Sequence, residues 1–182
     1  MIVYGVVHLK PLPGSSGNYL SLDEIIESAQ EDVNNLIFGG IDGIIIENFG
    51  DTPFVKDDIS KRTLASFTTV VENLEYDRDI KVGINVLRND GIAALSIAEA
   101  TKADFVRINV LNNVMMYTDQ GMIEGKAHEI AQFKNSLNKE IEIYADVFVK
   151  HAVPPEGSKI ENHTEELIYR AGADVVIVTG DG

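Results

Sequence analysis

The sequence contains no cysteine, which excludes both disulfide bonds and thiolate metal sites. It is also poor in basic residues, with 15 lysines and arginines against 29 aspartates and glutamates and a net charge of −14. Nucleic acids and anionic membrane surfaces are recognised through a basic footprint, so this balance argues against both as partners. A cation site, or docking on a basic protein surface, is compatible with the charge.

Long hydrophobic runs are absent as well. No apolar run approaches the roughly 20 residues that cross a membrane, and the N-terminus enters a strand-like run without the charged region or cleavage site of a signal peptide. These absences predict a cytoplasmic protein. Apolar residues make up 45% and charged residues 24% of the 182 positions, which is typical of an ordinary globular chain with one domain.

Short β-branched runs alternate with amphipathic helical stretches along the whole chain. The runs are almost continuously apolar, which is typical of parallel strands covered on both faces. They predict strands at 2–8, 43–48, 81–86, 105–110, 141–148 and 175–179. Helices are predicted at 22–37, at 64–74, after Asp90, at 125–137 and at 164–171, the first with a Ser21–Glu24 capping box.

Three segments repeat one pattern: "GIDGIIIEN" (40–48), "KADFVRINV" (102–110) and "GADVVIVTG" (172–180). Each has a small residue or Ile, then Asp, then a hydrophobic strand, as expected where a helix returns to a parallel strand. Three copies favour a βα repeat architecture.

Polar side chains stand where these strands end. Aligning the repeats places Glu47, Asn109 and Thr179 at the same position. Ligands of parallel α/β folds bind outside the carboxyl ends of the strands, so we predict a site there. The candidate residues are His8, Lys10, Glu47, Asn48, Asp51, Asn85, Arg107, Asn109, Asp146, Lys150, Thr179 and Asp181.

Glu47 closes an apolar strand. A carboxylate in this position can act as a general acid or base, and the alternative is a salt bridge to Lys10 or Arg107 that ties strand ends together. His8 is either a proton shuttle or ligand, or a hydrogen-bonded core histidine. Lys10 can contact an anion or form a Schiff base.

Arg107 and Asn109 share one strand face because they are two residues apart. A buried arginine needs a carboxylate or an anionic substrate, so both an ion pair with Glu47 or Asp146 and an anion contact are open. Asp146 and Lys150 end the fifth strand. A lysine beside a carboxylate allows aldolase-type chemistry, unless Lys150 already lies on a solvated loop.

Two further segments carry candidate binding residues. Asn48 and Asp51 bracket a turn, and Asp51 either binds a cation or a sugar hydroxyl or caps the turn. Residues 111–125 are predicted to form a loop, which is long for a βα connection, where about 2–6 residues are usual. Such loops tend to be lids or binding loops. Its polar candidates are Thr118, Asp119 and Gln120.

Four motifs resemble the BtpA family of predicted TIM-barrel proteins: "YGVVHLKPLPGSSG" (4–17), "GIDGIIIENFGDTPF" (40–54), "VRINVLNN" (106–113) and "TDQGMIEGKAHEI" (118–130). The resemblance is collinear over essentially the whole chain. It implies a (β/α)8 barrel and a link to the biogenesis or stability of membrane protein complexes, known for photosystem I in photosynthetic members. It implies no settled reaction, since members are labelled mainly as predicted enzymes.

The strand count departs from this family pattern. A complete barrel has eight strands and about 250 residues, whereas this sequence shows six strands and stops just past the sixth. We therefore expect an incomplete TIM-type α/β barrel, C-terminally truncated relative to the family. Its open edges at 2–8 and 175–179 predict a poorly soluble chain or an edge-paired homo-oligomer.

Two functions of different classes follow. The first is an enzyme that acts on a small polar metabolite, such as a phosphorylated sugar or a nucleoside-like compound, as a lyase, isomerase or hydrolase. Glu47, Asp146 and His8 would carry the acid/base chemistry, and Lys10 and Arg107 would hold negative charge. The second is a non-catalytic assembly factor that docks peripherally on a membrane complex. No cofactor is predicted, although carboxylates around Asp51 and Asp146 leave a divalent cation as an alternative.

Overall fold

Parallel strands dominate the structure. A computed structural model describes residues 1–77, 79–101, 103–117 and 119–179. Its six main strands are β1 (Tyr4–His8), β2 (Gly43–Glu47), β3 (Lys81–Asn85), β4 (Phe105–Ile108), β7 (Glu142–Val147) and β9 (Val175–Val178), and three short ones are β5 (Val114–Tyr117), β6 (Gly121–Glu124) and β8 (Ala152–Val153). The main sheet has the order β1-β2-β3-β4-β7-β9, with every neighbouring pair parallel. The six predicted strands are confirmed.

Within the described residues, five helices connect the strands: α1 (Leu22–Phe38), α2 (Lys61–Glu72), α3 (Gly91–Thr101), α4 (Ala127–Lys134) and α5 (Ile160–Tyr169). The predicted capping box of α1 is present, with the Ser21 hydroxyl accepting from the Glu24 backbone and the Glu24 carboxylate accepting from the Ser21 backbone. The fourth helix starts at Ala127, two residues later than predicted, because the backbone of Gly125 still donates to Asn113 across the base of the hairpin, at 2.8 Å. The fifth helix starts before the predicted residue 164, since no glycine or proline stands between Gly157 and Ile160.

The two faces of the main sheet differ in composition. Alternate strand residues pack against the helices and form the main core; they are Val7, Ile44, Ile46, Val82, Ile84, Val106, Ile108, Ile143, Ala145 and Val147. The opposite face carries a separate aromatic cluster of Phe105 and Tyr144 with Ile45, against which Tyr4 and Ile177 pack. Both faces are therefore covered by apolar groups, as the continuous apolar runs predicted.

The main sheet curls strongly toward its aromatic face. Tyr4 of β1 and Tyr144 of β7 lie four strands apart, and a flat sheet would separate these strands by about 19 Å. Their ring centroids are only 6.4 Å apart. Lys81 of β3 also forms a salt bridge with Glu142 of β7 across the same face. The six strands therefore form a curled half-barrel, consistent with an incomplete TIM-type barrel.

A second, three-stranded sheet corrects the prediction of an irregular loop at 111–125. Strand β5 pairs antiparallel with β6 in a hairpin and with β8 on its other side. Met115, Tyr117 and Ile123 are buried on one side of the hairpin, together with Val110 and Val149. Alternate residues of β5 are thus buried and exposed, which stabilises a strand rather than a loop.

The two outer strands of the main sheet are exposed over the part of the chain that the structure describes. Val6 of β1 is 40% exposed, and Val178 of β9 is 67% exposed. Association of copies through these edges stays a prediction. No helix within the described ranges is both long enough and apolar enough to span a bilayer.

Candidate functional site

Arg107 occupies the centre of the sheet at the carboxyl ends of the strands. Its Nη1 donates to Glu47 Oε1 at 2.9 Å, and its Nε and Nη2 donate to the two oxygens of Asp146 at 3.0 and 3.1 Å. The side chains of Glu47 and Asp146 are only 6% and 0% exposed. The guanidinium therefore links two carboxylates that are almost completely removed from water, in a geometry that arginine suits better than lysine.

Two asparagines complete this arrangement. Asn85 Nδ2 donates to Glu47 Oε1 at 2.9 Å, and Asn109 Nδ2 donates to Asp146 Oδ2 at 3.0 Å. The strand register explains the contacts, since Glu47 is paired with Asn85 and Asn85 with Arg107. We call Glu47, Asn85, Arg107, Asn109 and Asp146 the mouth network.

Burial and charge have opposite effects on the pKa values of Asp146 and Arg107. Burial raises the pKa of Asp146 above its ordinary value, although the hydrogen bonds and charge of Arg107 work against it. Burial by itself lowers the pKa of Arg107, but the hydrogen bond and charge of Asp146 and the charge of Glu47 outweigh it, so that pKa is raised. The guanidinium stays charged, and its positive charge is matched by two carboxylates.

Glu47 has one oxygen that these donors leave available. Oε1 accepts from both Asn85 and Arg107, whereas Oε2 faces His8 Nε2 at 3.7 Å. The His8 ring stacks on Phe49, with centroids 4.2 Å apart and planes 15° apart. His8 is not a core histidine, because its side chain is 51% exposed. The geometry thus combines a fixed, buried carboxylate with an imidazole that reaches solvent.

An apolar layer lies below the mouth network, toward the amino ends of the strands. Phe105 and Tyr144 stack at 4.1 Å, two residues before Arg107 and Asp146 on their own strands. Because side chains two apart share a strand face, these rings lie directly under the polar groups. They close the mouth network on the side of the amino ends.

Asn48 and Asp51 connect the loops around the mouth. Asn48 Oδ1 accepts from the Leu87 backbone at 2.7 Å and Asn48 Nδ2 donates to Asp51 at 3.0 Å, while Asp51 Oδ1 accepts from the Leu12 backbone at 2.7 Å. Burial raises the pKa of Asp51. Both residues line a cavity of about 330 Å³, whose lining also includes hydroxyls of Ser15, Ser60 and Thr63. They hold three strand-to-helix loops together at the edge of this cavity.

Arg88 ties the hairpin to the loops that follow β2 and β3. Its guanidinium carbon lies 4.3 Å from the ring centroid of Phe54 and 5.2 Å from that of Tyr117. It donates to Gln120 and Asp119, each at 3.0 Å. The candidates Asp119 and Gln120 therefore contact Arg88 at the rim and do not join the mouth network. Sequence reasoning missed this use of Arg88, because the contact depends on the fold of the hairpin.

The remaining candidates lie farther out. Lys10 is exposed two residues beyond β1, and Lys150 is exposed three residues beyond β7. The Thr179 hydroxyl makes a long hydrogen bond, 3.5 Å, to the backbone oxygen of Phe148. The candidates Thr118 and Asp181 lie outside the described residues.

Metal ligands do not cluster in the described ranges, where no three histidine, aspartate or glutamate side chains form a group that could hold a metal ion. Asp51 accepts from Leu12 and Asn48, and Asp146 accepts from Arg107 and Asn109. The divalent cation stays a prediction.

Comparison with known proteins identifies relatives over nearly all of the chain. The model of the BtpA family matches residues 1–182. An uncharacterized protein of Pyrococcus horikoshii is 48% identical over 176 residues, which cover 97% of this chain and 66% of that protein. The photosystem I biogenesis protein BtpA of Synechocystis is 44% identical over 178 residues, which cover 98% of this chain and 62% of that protein. The chain thus spans a little less than two-thirds of the length of these curated relatives.

The mouth network predicts a large effect of removing its cation. Arg107→Ala leaves the buried carboxylates of Glu47 and Asp146 unpaired, so we expect a loss of about 3–5 kcal/mol in the free energy of unfolding. Arg170→Ala is the matched control, because Arg170 is exposed and its pair with Glu166 is worth no more than about 1 kcal/mol. Urea titrations followed by circular dichroism measure both.

The loss in the free energy of unfolding of Arg107→Ala should also depend on pH. Without Arg107 the pKa of the buried Asp146 rises further above its unfolded value. The pH-dependent part of the penalty is therefore absent below the folded-state pKa of Asp146 in the wild type, grows as the pH rises toward the higher folded-state pKa in Arg107→Ala and is constant above it. A deficit for Arg107→Ala no larger than that of Arg170→Ala at neutral pH contradicts the account.

Proposed function

Since this chain belongs to the BtpA family, we propose that it contributes to a barrel-mouth site that performs acid/base chemistry on a small polar compound, with Glu47 as the proton-transferring group. The observation that carries the proposal is the geometry of Glu47. Two donors, Asn85 and Arg107, fix Oε1, while Oε2 faces His8 and accepts no hydrogen bond from the residues that the structure describes. A general acid or base needs this combination of a fixed position and a free oxygen.

His8 suits the role of proton shuttle beside Glu47. Imidazole is the side chain best adapted to exchange protons near neutral pH. Its Nε2 lies 3.7 Å from Glu47 Oε2, close enough for an electrostatic contact and for a bridging ligand group or water, and its exposed ring reaches solvent. Stacking on Phe49 fixes the plane of the ring. A proton accepted by Glu47 can then pass through His8 to bulk water.

The ligand class follows from the donors and acceptors around the mouth. Amide groups of Asn85 and Asn109 and the carboxylate of Asp146 suit hydroxyl groups. Arg107 already pairs with two carboxylates, which outnumber its single positive charge, so a phosphate group would need another cation, and exposed Lys10 stands on the neighbouring loop. A sugar-like or nucleoside-like metabolite, with or without a phosphate held outside the mouth network, fits best.

Glu47→Gln tests this function. We expect a metabolite in a cell extract to be consumed by the wild-type protein and not by Glu47→Gln, because the amide cannot exchange the proton. Glu142→Gln is the matched control, since Glu142 lies on the same face of the curled sheet near the amino ends and pairs with Lys81. Proton NMR of the extract before and after incubation measures consumption. Equal consumption by wild type and Glu47→Gln, or no consumption by the wild type, contradicts the proposal.

A second candidate is a non-catalytic role in assembling a membrane protein complex. The name of the Synechocystis relative, a photosystem I biogenesis protein, supports it. An exposed apolar patch on the small sheet offers a docking surface, since Met116 pairs directly with Met122 and with Val153 across the strands. These three side chains are 48%, 49% and 63% exposed. Contiguous exposed apolar groups are typical of interaction sites.

Met116→Gln combined with Met122→Gln tests the docking role. We expect this variant to lose co-sedimentation with membranes from the source cells, because it removes apolar area from the patch without changing charge. Phe38→Gln, at an exposed apolar residue at the end of α1, and Glu47→Gln should both still co-sediment. Equal sedimentation of all variants contradicts docking through this patch.

A further inference from the structure

The cavity of about 330 Å³ lies among the loops that follow β1, β2 and β3, at the N-terminus of α2. We call it the loop cavity. Its volume is at the lower end of the range of about 300–1,000 Å³ that is typical of small-molecule sites. Among the described residues, no member of the mouth network lines it. The acid/base chemistry proposed for Glu47 therefore gives this space no role.

The loop cavity has a buried floor and an exposed rim. The side chains of the floor are at most 8% exposed; they are Asn48, Asp51, Ile59, Thr63 and Leu87. The rim consists of exposed residues, which include Gly14, Ser16, Pro53, Val55 and Ser60. The cavity is therefore open to solvent, and a small molecule can enter it from the rim.

Hydrogen bonds between the loops hold the walls of the loop cavity in place. Asn48 Oδ1 accepts from the Leu87 backbone at 2.7 Å, which joins the loops after β2 and β3. The backbone of Ile59 donates to Asp90 Oδ2 at 3.0 Å, which joins the same two loops at a second point. The cavity is thus formed before a ligand binds, and a preformed site lowers the entropic cost of binding.

The loop after β1 lies directly against the start of α2. Gly14 has a φ of +107°, and a Cβ atom at this position would lie 2.5 Å from Thr63 Oγ1 and 2.7 Å from Ser60 Oγ. Only glycine allows so close an approach in this backbone conformation. The packing fixes the hydroxyls of Ser60 and Thr63 relative to the loop.

The hydroxyls of Ser60 and Thr63 leave one proton available. Their oxygens are 2.8 Å apart, so one hydroxyl donates to the other. Ser60 Oγ also accepts from the Thr63 backbone at 3.0 Å, as the N-terminal cap of α2. The two hydroxyls carry two protons, and the contact between them uses one. Whichever hydroxyl donates, the second proton has no acceptor among the described residues and can be donated to a ligand oxygen.

The lining of the loop cavity disfavours a charged ligand. Asp51 is its charged member, and no lysine, arginine or histidine lines it within the described ranges. An anion would be repelled by Asp51, whose pKa is already raised by burial. Both Asp51 oxygens accept hydrogen bonds, from Leu12 and from Asn48. Ile59 and Leu87 make the rest of the floor apolar, which penalises a charge of either sign.

We propose that the loop cavity binds a small uncharged molecule that carries a hydroxyl or carbonyl group on an apolar ring. The ligand oxygen accepts the free hydroxyl proton of Ser60 or Thr63, and the ring packs against Ile59 and Leu87. This site goes beyond the proposed function, because Glu47 does not line the cavity. Its test therefore does not depend on turnover at the mouth.

Three one-ring probes that differ in charge test the proposal: benzyl alcohol, benzoate and benzylamine. Each is titrated at millimolar concentrations and neutral pH into the full chain labelled with nitrogen-15, and the NMR chemical shifts of the backbone amides give the Kd and the location of binding. We expect benzyl alcohol to bind roughly fivefold or more tightly than either charged probe, since no group in the cavity compensates their charge. It should shift the amides of Gly14, Ser16 and Thr63.

Ser60→Ala combined with Thr63→Val removes the donor. Both substitutions are needed, because either hydroxyl alone can still donate to the ligand. The Kd of benzyl alcohol should rise roughly fivefold or more, since one hydrogen bond is lost. Ser21→Ala is the matched control: it also removes a helix cap, but from α1, and Ser21 does not line the cavity, so the Kd should be unchanged. Urea titrations check that the variants fold.

Four results overturn the proposal: no binding of benzyl alcohol, binding of benzoate or benzylamine at least as tight, amide shifts confined to other parts of the chain, or equal affinity of the folded double variant and the wild type. The first three are measured on the wild type alone. The proposal therefore stays falsifiable even if the double variant does not fold.

Discussion

The ion pairs of Arg107 with Glu47 and Asp146 are the interaction on which the candidate site depends. They join β2, β4 and β7 across the inner face of the curled sheet. A buried guanidinium without carboxylates, or buried carboxylates without a guanidinium, would carry a large desolvation cost. The three side chains therefore hold each other at the carboxyl ends of the strands. Asn85 and Asn109 accompany them because the parallel register brings Asn85 beside both Glu47 and Arg107 and Asn109 is two residues after Arg107.

The two faces of the main sheet have different roles: one contributes to the hydrophobic core, and the other carries the candidate site. One face of every strand packs against helices and is apolar throughout. The other face carries aromatic rings and the Lys81–Glu142 ion pair near the amino ends and the mouth network near the carboxyl ends, as in β4, where Phe105 precedes Arg107 by two residues. The stacked rings of Phe105 and Tyr144 support the polar groups from the side of the amino ends.

Much of this arrangement could be predicted from the amino-acid sequence. Apolar runs revealed the six strands, the repeats placed Glu47 and Asn109 at equivalent strand ends, and the buried position of Arg107 required a carboxylate partner. The hairpin could not be predicted, because its four-residue strands alternate too briefly to be distinguished from an irregular loop. The contacts of Asn48 with Leu87 and of Asp51 with Leu12 could also not be predicted, since each joins residues of two loops that are 39 positions apart in the chain. The side-chain oxygen of Asn109, which has no hydrogen-bond partner among the described residues, also could not be predicted, because it depends on contacts between neighbouring strands and not on the local sequence.

The central claim, that Arg107 binds Asp146 in the interior of the half-barrel, is tested most directly by a double-mutant cycle. The free energy of unfolding is measured for wild type, Arg107→Met, Asp146→Asn and the double variant. The bidentate buried contact predicts a coupling energy of about 2 kcal/mol or more. A coupling energy below about 0.5 kcal/mol, which is the range of residues that do not interact, would contradict the account.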